Sequence, residues 1–182
     1  MPKLDSEFKK QIKALSKAEL EELVIRFAAK QKEIYDFLMV NYFDNQSGEE
    51  DLCNEAKNDI KILFIKKYKG FSEELQMANM VEACVKRINE FDKLCKKKNL
   101  CADLLMMVLD EVFSYRDALF GTCFTRYDYK VALVLKRLIT LVATKLHPDY
   151  KIEYTDKINR YLTALHRTSN HIDFIYKMPV SV

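Results

Sequence analysis

Apolar residues recur every three or four positions along most of this chain, the spacing that places side chains on one face of an α-helix. The pattern is clearest between Ser72 and Cys95, where one face would carry Met77, Met80, Val81, Cys84, Val85, Ile88, Phe91, Leu94 and Cys95. A similar stripe runs from Asp51 to Lys69 and stops at Gly70. The periodicity therefore predicts two long amphipathic helices over these segments.

Polar residues mark where several of these helices begin. Ser16 and Glu19 have the spacing of a capping box. In this motif the side chain of each residue accepts a hydrogen bond from the backbone amide of the other. Ser47 and Glu50 repeat that spacing, and Ser72 precedes the strongest stripe. These residues predict three helix starts.

The stretch "NEFDKLCKKKNLCADLL", residues 89–105, predicts a corner between two helices. Its lysines, residues 96–98, suit the last turn of a helix, because cations are favoured near the negative end of the helix dipole. Asn99 is expected to cap the helix that follows. Cys95 and Cys101 flank the corner, and we interpret them as small buried side chains, since one Cys-x5-Cys pair is a weak pattern for zinc.

Downstream, further stripes predict a helix that ends near Gly121, one over residues 129–145 and two more after Pro148. The helix over 129–145 is apolar on nearly every side and is expected to be the most buried. We predict an all-α protein of about seven or eight antiparallel helices, because short connections return each helix along its neighbour. An α-α superhelix is slightly favoured over a closed bundle.

Composition supports this picture. The 182 residues include three glycines and three prolines, too few for many strands and turns, and nothing divides the chain, so a single domain over 1–182 is expected. Thirty basic and 27 acidic residues give a formal charge of +3, which does not require nucleic acid. The most apolar stretch is interrupted by Lys136 and Arg137, and no signal peptide is evident. Five cysteines at irregular spacing favour reduced thiols, and hence the cytoplasm.

No catalytic or cofactor motif is present in the sequence. The three histidines have no glutamate or histidine at the offset of three or four that helical metal sites use, and glycine-rich phosphate loops are missing. We therefore expect no cofactor, no metal site and no enzymatic activity. A non-catalytic protein-interaction module is the leading hypothesis, and homo-oligomerisation is left open.

The segment "FSYRDALFGTCFTRYDYK", residues 113–130, combines aromatic and basic side chains. Tyrosine and arginine are favoured anchors in protein interfaces. The candidate interaction surface comprises Tyr115, Arg116, Arg126, Tyr127 and Tyr129. Simple packing in the core is the first interpretation of this segment. A protein partner comes second and is preferred to a nucleic-acid strand, which the same residues could also stack against and neutralise.

Two lysine clusters support the alternative hypothesis of a nucleic-acid-binding helical domain. They comprise Lys66, Lys67, Lys69, Lys96, Lys97 and Lys98. Each cluster follows one of two successive helices, and helices that alternate in direction place successive carboxyl ends at opposite ends of a domain. This geometry argues against a single basic patch.

The stretch "KLHPDY", residues 145–150, resembles the His-Pro-Asp motif of J-domain co-chaperones, through His147, Pro148 and Asp149. The resemblance implies a co-chaperone function and gives a third hypothesis. A structural account competes with it: His147 closes a helix, Pro148 prevents its continuation and Asp149 helps to start the next turn.

The opening "FKKQIKALSKAELEELVIRFAAKQKEIYDFL", residues 8–38, resembles the start of a family of uncharacterised bacterial all-helical proteins. Members begin with a similar Leu-Ser-Lys-x-Glu-Leu run before a pair of helices. The resemblance implies an intracellular helical protein and carries over no functional residue.

Overall fold

A computed structural model describes residues 5–43 and 48–182 of the chain. Within these ranges the protein is helical and contains no strand, so the all-α prediction is confirmed. The α-helices are α1 (Ser6–Ala14), α2 (Lys17–Lys30), α3 (Lys32–Leu38), α4 (Gly48–Ile65), α5 (Glu73–Leu94), α6 (Lys98–Tyr115), α7 (Arg126–Lys145), α8 (Pro148–Ser169) and α9 (Asp173–Tyr176). A π-helical turn spans Met39–Phe43 and a 3-10 turn spans Asp117–Leu119.

The chain divides into two compact units, Met1–Gly48 and Glu49–Val182. The expectation of a single domain over 1–182 stays a prediction, since cooperative unfolding is what would establish it. The preference for a superhelix over a closed bundle likewise stays a prediction.

The first unit is built from local helix-forming interactions. Asp5 accepts a hydrogen bond from the amide of Phe8 at 2.7 Å and starts α1. Ser16 and Glu19 make both bonds of the predicted capping box and start α2. Among the described residues of this unit, Val40 is the only apolar side chain that is buried.

The second unit holds an extensive hydrophobic core between α5, α6, α7 and α8. Helix α7 packs against α5, α6, α8 and α9, and α5 packs against α6. The predicted stripe of α5 is buried, with Ile88 and Cys84 fully inaccessible to solvent. Helix α6 contributes the buried side chains Cys101, Ala102, Leu104, Leu105, Met106, Val108, Leu109 and Val112.

Side-chain pairs define the helix directions. Positions 82 and 92 of α5 pair with positions 130 and 137 of α7, so these two helices run in the same direction. Positions 103 and 110 of α6 pair with 154 and 157 of α8, which are also parallel to each other. Helices that are not consecutive in sequence therefore lie side by side: α5 beside α7, and α6 beside α8.

The corner at residues 95–98 differs from its prediction. Helix α5 ends at Leu94, and α6 begins at Lys98 without a side-chain cap, so Asn99 lies inside the first turn and the prediction that it caps α6 is wrong. A distant carboxylate holds the corner: Glu49, in the first turn of α4, accepts hydrogen bonds from the amides of Lys96 and Lys97, the two residues before α6. A tertiary contact thus fixes the connection just ahead of the uncapped helix start.

Helix α4 ends at Ile65, four residues before the predicted end. Side chains bond to carbonyl groups at and beyond this end: Tyr68 donates to the carbonyl of Leu63 at 3.0 Å, and Asn79 donates to that of Lys69 at 2.7 Å. The first bond satisfies a carbonyl in the last turn of α4, and the second holds the connection that follows it. The predicted cap at Ser47 lies outside the described residues, whereas the predicted cap at Ser72 is confirmed.

Candidate binding grooves

Two surface grooves lie on the second unit, and the first runs between α5 and α7. This α5–α7 groove has a volume of about 320 Å³. Its apolar lining comprises Val81, Val85, Leu133 and Val134, and its polar lining comprises Glu82, Lys86, Asn89, Lys130 and Arg137. Three cations and one carboxylate therefore surround an apolar floor.

The floor of the α5–α7 groove is the outer edge of the hydrophobic core. Val81 and Val134 are almost completely buried, whereas Leu133 is 37% exposed. Leu133 lies one helical turn after Tyr129, which is 39% exposed and makes an edge contact with Phe174 at a centroid distance of 5.1 Å. Helix α7 consequently presents two large apolar side chains beside the groove.

Ion pairs fix the rim of the α5–α7 groove. Glu82 accepts from Lys130 at 2.8 Å and from Arg126 at 3.0 Å. These hydrogen bonds, from Lys130 first and then Arg126, hold the pKa of the Glu82 carboxyl below its ordinary value. Arg137 donates to Asn89 at 2.6 Å and to Asp92 at 3.2 Å. Lys86 makes no such pair within the described part of the chain and is exposed.

The second groove runs between α6 and α8 and has a volume of about 540 Å³. The residues that line this α6–α8 groove are Asp110, Phe113, Ser114, Asp117, Phe120, Lys157, Arg160, Tyr161, Ala164, Arg167 and Thr168. Phe113 and Tyr161 stack with ring centroids 4.3 Å apart and planes inclined by 9°. The groove thus combines an aromatic floor with five charged side chains.

One of these acids is neutralised within the α6–α8 groove. Lys157 donates to both carboxylate oxygens of Asp110, at 2.8 and 3.0 Å, and the Tyr161 hydroxyl also donates to this carboxylate. Burial first, and the hydrogen bond to Asp110 second, raise the pKa of Tyr161. Tyr161 therefore remains a neutral donor, and Asp110 holds α8 against α6.

A fixed loop forms one end of the α6–α8 groove and contributes Asp117 and Phe120. Gly121 follows with φ of 75°, and a Cβ atom there would lie 2.7 Å from the carbonyl oxygen of Thr168. The Gly121 amide donates to the buried carboxylate of Asp128 at 2.9 Å, and the Ser169 hydroxyl donates to the same oxygen. The loop is thereby attached to both α7 and α8.

Three polar atoms near this loop are buried without a hydrogen-bond partner in the described structure: Arg116 Nε, Tyr127 OH and Asp128 Oδ2. Tyr127 stacks on Phe120, which lines the groove. Burial raises the pKa of Tyr127, and the nearby Arg116 guanidinium opposes that shift. This polar cluster lies behind the aromatic floor and not on the surface.

The structure separates the five residues of the predicted interaction surface. Tyr115 is 78% exposed at the end of α6, and Arg126 and Tyr129 lie on α7. Arg116 is engaged, because it donates to the Phe64 carbonyl and to Glu111, both at 3.2 Å. Tyr127 is completely buried, so its assignment to a surface is wrong; it occupies the core face of α7 and its ring packs on Phe120.

The two lysine clusters lie at opposite ends of α4. The first cluster follows its last residue, Ile65, whereas the second contacts its first turn through Glu49 and Glu50. A helix of 18 residues is about 27 Å long. Lys97 pairs with Glu50 at 3.0 Å and Lys98 with Asp92 at 2.6 Å, so part of the second cluster is already neutralised.

Cys95 and Cys101 are buried free thiols, and burial raises their pKa values to about 12 and about 11. No group of three or more histidine, cysteine or acidic residues within 5–43 and 48–182 has the arrangement of a metal site. His147 is the N-cap of α8, with its Nδ1 3.5 Å from the Asp149 amide, and Pro148 is the first helical residue. The His-Pro-Asp stretch therefore has a local capping role.

Comparison of the chain with protein-family models, curated proteins and solved structures finds no match. The resemblance of residues 8–38 to a bacterial helical family stays an expectation. No described helix is both long enough and apolar enough to cross a membrane.

The groove residues that sequence reasoning missed include Lys86, Leu133, Arg160 and Arg167. Leu133 could have been found, because it lies outside the main apolar stripe of its helix and one turn after Tyr129. Arg160 and Arg167 are seven residues apart, so they share one helical face. Lys86 is indistinguishable in sequence from other surface lysines.

Proposed function

We propose that this protein is a non-catalytic protein-interaction module whose α5–α7 groove binds an amphipathic helix with acidic flanks. The observation that carries the proposal is an apolar floor enclosed by cations. Val85 and Leu133 offer the floor, and Lys86, Lys130 and Arg137 outnumber the one lining carboxylate, Glu82. An amphipathic helix buries its apolar side chains in such grooves.

The ion-paired cations at the rim of the α5–α7 groove are suited to binding a partner, because their side chains are already held in place. Lys130 and Arg137 are held by carboxylates of α5, so their side chains lose little further freedom on binding. Lys86 brings an uncompensated positive charge. Acidic flanks on the partner would meet this rim, and electrostatic complementarity would increase both specificity and association rate.

The test uses two helical peptides of about three turns with the same apolar face, one flanked by glutamates and the other by lysines. Binding to the full chain is followed by nuclear magnetic resonance titration. We expect the glutamate-flanked peptide to bind at least tenfold more tightly, to shift resonances of α5 and α7, and to weaken as salt rises. Equal affinities, or shifts away from both helices, would contradict the proposal.

Matched variants locate the interaction. Leu133→Asp should abolish binding and Lys86→Glu should weaken it several-fold, because they place a charge on the floor and reverse one on the rim. The controls are Ile62→Asp and Lys61→Glu, exposed positions of α4 that should leave affinity unchanged. Affinity capture with wild type and Leu133→Asp side by side then identifies natural partners that depend on the groove.

The alternative, a nucleic-acid-binding domain, predicts a different result. Binding would go to a duplex or single strand, would fall steeply with salt, and would depend on the two lysine clusters. Leu133→Asp would then have no effect, while glutamine at Lys66, Lys67 and Lys69 would reduce affinity. The separation of the clusters along α4 is the reason for ranking this function second. The co-chaperone hypothesis at His147 ranks third, because capping already accounts for that motif.

A further inference from the structure

The arginines of the second unit divide into two groups. Four of them pair with a carboxylate: Arg87 with Asp59, Arg116 with Glu111, Arg126 with Glu82 and Arg137 with Asp92. Arg160 and Arg167 make no ion pair with any residue that the structure describes, and both line the α6–α8 groove. The two uncommitted guanidinium groups of this unit therefore share one cavity.

The charges of the groove favour an anion. Lys157 and Asp110 satisfy each other, as described above. The remaining lining charges are Arg160 and Arg167, which are positive, and Asp117, which is negative. Seven residues of helix separate the two arginines by about 10 Å along its axis, a distance that two long side chains can close around one acidic group.

The rest of the lining favours an apolar ring on the ligand. Three aromatic rings are in contact: the centroid of Phe113 lies 4.3 Å from that of Tyr161 and 5.2 Å from that of Phe120. Ser114 and Thr168 add hydroxyl groups. A volume of about 540 Å³ lies within the range of small-molecule sites, about 300 to 1,000 Å³.

The site is also built in advance. Asp110 fixes α8 against α6, while Asp128, Gly121 and Ser169 fix the loop that carries Asp117 and Phe120. A preformed cavity loses less conformational entropy when a ligand enters.

We propose that the α6–α8 groove binds a small organic anion, a carboxylate or phosphate attached to an aromatic or similarly flat apolar body, through Arg160 and Arg167. This site is independent of the α5–α7 groove and of any protein partner. Guanidinium groups bind such oxyanions in a bidentate manner, and the aromatic floor receives the apolar body.

Phenyl phosphate is the probe, with phenol and inorganic phosphate as its uncharged and ringless counterparts. Each is titrated into the full chain over a millimolar range while backbone amide and arginine side-chain resonances are recorded. We expect phenyl phosphate to shift resonances of Arg160, Arg167 and the 117–120 loop, with an affinity at least several-fold above that of either counterpart. If phenol bound as tightly as phenyl phosphate, the arginines would not contribute to binding. If inorganic phosphate bound as tightly as phenyl phosphate, the aromatic rings would not contribute. Either result overturns the proposal.

Variants test the two arginines directly. Arg160→Gln and Arg167→Gln should each weaken phenyl phosphate about three- to tenfold, since a charge-assisted hydrogen bond is lost, and the double variant should abolish saturable binding. Arg26→Gln, at an exposed arginine of α2, makes the same charge change and should have no effect. Arg160 and Arg167 are both exposed, so the amide spectra of their variants should otherwise match that of the wild type. Wild-type affinity in the double variant would overturn the proposal.

Discussion

The two units of this chain obtain their helices in different ways. Helices α1 and α2 begin with complete side-chain caps, yet they bury no side chain. Helix α6 begins without a side-chain cap and buries eight. The contrast shows that a local cap can start a helix that buries nothing, whereas a helix packed into the core can start without one.

The largest effect should come from removing the same apolar volume in each unit. Ile88→Ala, in the core of α5, should lower the free energy of unfolding by about 2 to 5 kcal/mol, because it loses buried surface and leaves a cavity. Ile25→Ala, at a position 69% exposed, should change it by less than about 0.5 kcal/mol. Denaturant melts measure both. Comparable losses would show that Ile25 is covered in solution.

A smaller effect is expected at the loop of the α6–α8 groove. Gly121→Ala should cost about 1 to 3 kcal/mol, because its φ of 75° is strained for a side chain and the new Cβ would meet the Thr168 carbonyl. Thr125→Ala, an exposed change in the same connection, serves as the control. A neutral result for Gly121→Ala would mean that the loop is free to move, and the preformed α6–α8 groove would lose its support.

The capping box distinguishes one folding unit from two. Ser16→Ala should destabilise α2 by about 0.5 to 2 kcal/mol, because the amide of Glu19 loses its acceptor. Amide hydrogen exchange should show faster exchange in α2. If the chain is a single domain, the midpoint of global unfolding should fall as well. Faster exchange confined to residues 5–43, with an unchanged midpoint, would contradict the single-domain prediction.

The smallest effect should come from the corner. Replacing Lys96, Lys97 and Lys98 together by glutamine removes one exposed and one half-buried ion pair, worth about 0 to 1 kcal/mol each, and also removes a cation from the positive end of α6. These terms oppose each other, so the net change in unfolding free energy should be under about 1 kcal/mol. Glutamine at Lys9, Lys10 and Lys13 gives the same change in net charge in α1. A loss well beyond the control would indicate that the lysine side chains organise the corner.

Much of the fold could be predicted from residues that act locally. Ser16, Glu19 and Ser72 form the expected caps, and the buried face of α5 follows its sequence periodicity. The expectation that the helix over 129–145 is the most buried is wrong, because α6 buries eight of 18 residues and α7 eight of 20. Periodicity shows which face of a helix is apolar, but how the other helices pack against that face decides which of its residues become covered.

The grooves and the corner could not be predicted, because they depend on residues far apart in the chain. Glu49 reaches the amides of Lys96 and Lys97 across 47 and 48 positions. Arg137 pairs with Asp92 whereas Arg160 pairs with no described carboxylate, and this difference depends on packing. Pairing between distant side chains thus decides which cations remain available to a ligand.

The distribution of the cysteines makes the protein suitable for selective chemical labelling. Four thiols are buried, and burial raises the pKa of Cys84 and of Cys95 to about 12, so almost none of either exists as the reactive thiolate at neutral pH. Cys123 is exposed and lies in the connection between the 117–119 turn and α7. A maleimide fluorophore should therefore attach at Cys123 of the unaltered chain, close to the loop that carries Asp117 and Phe120.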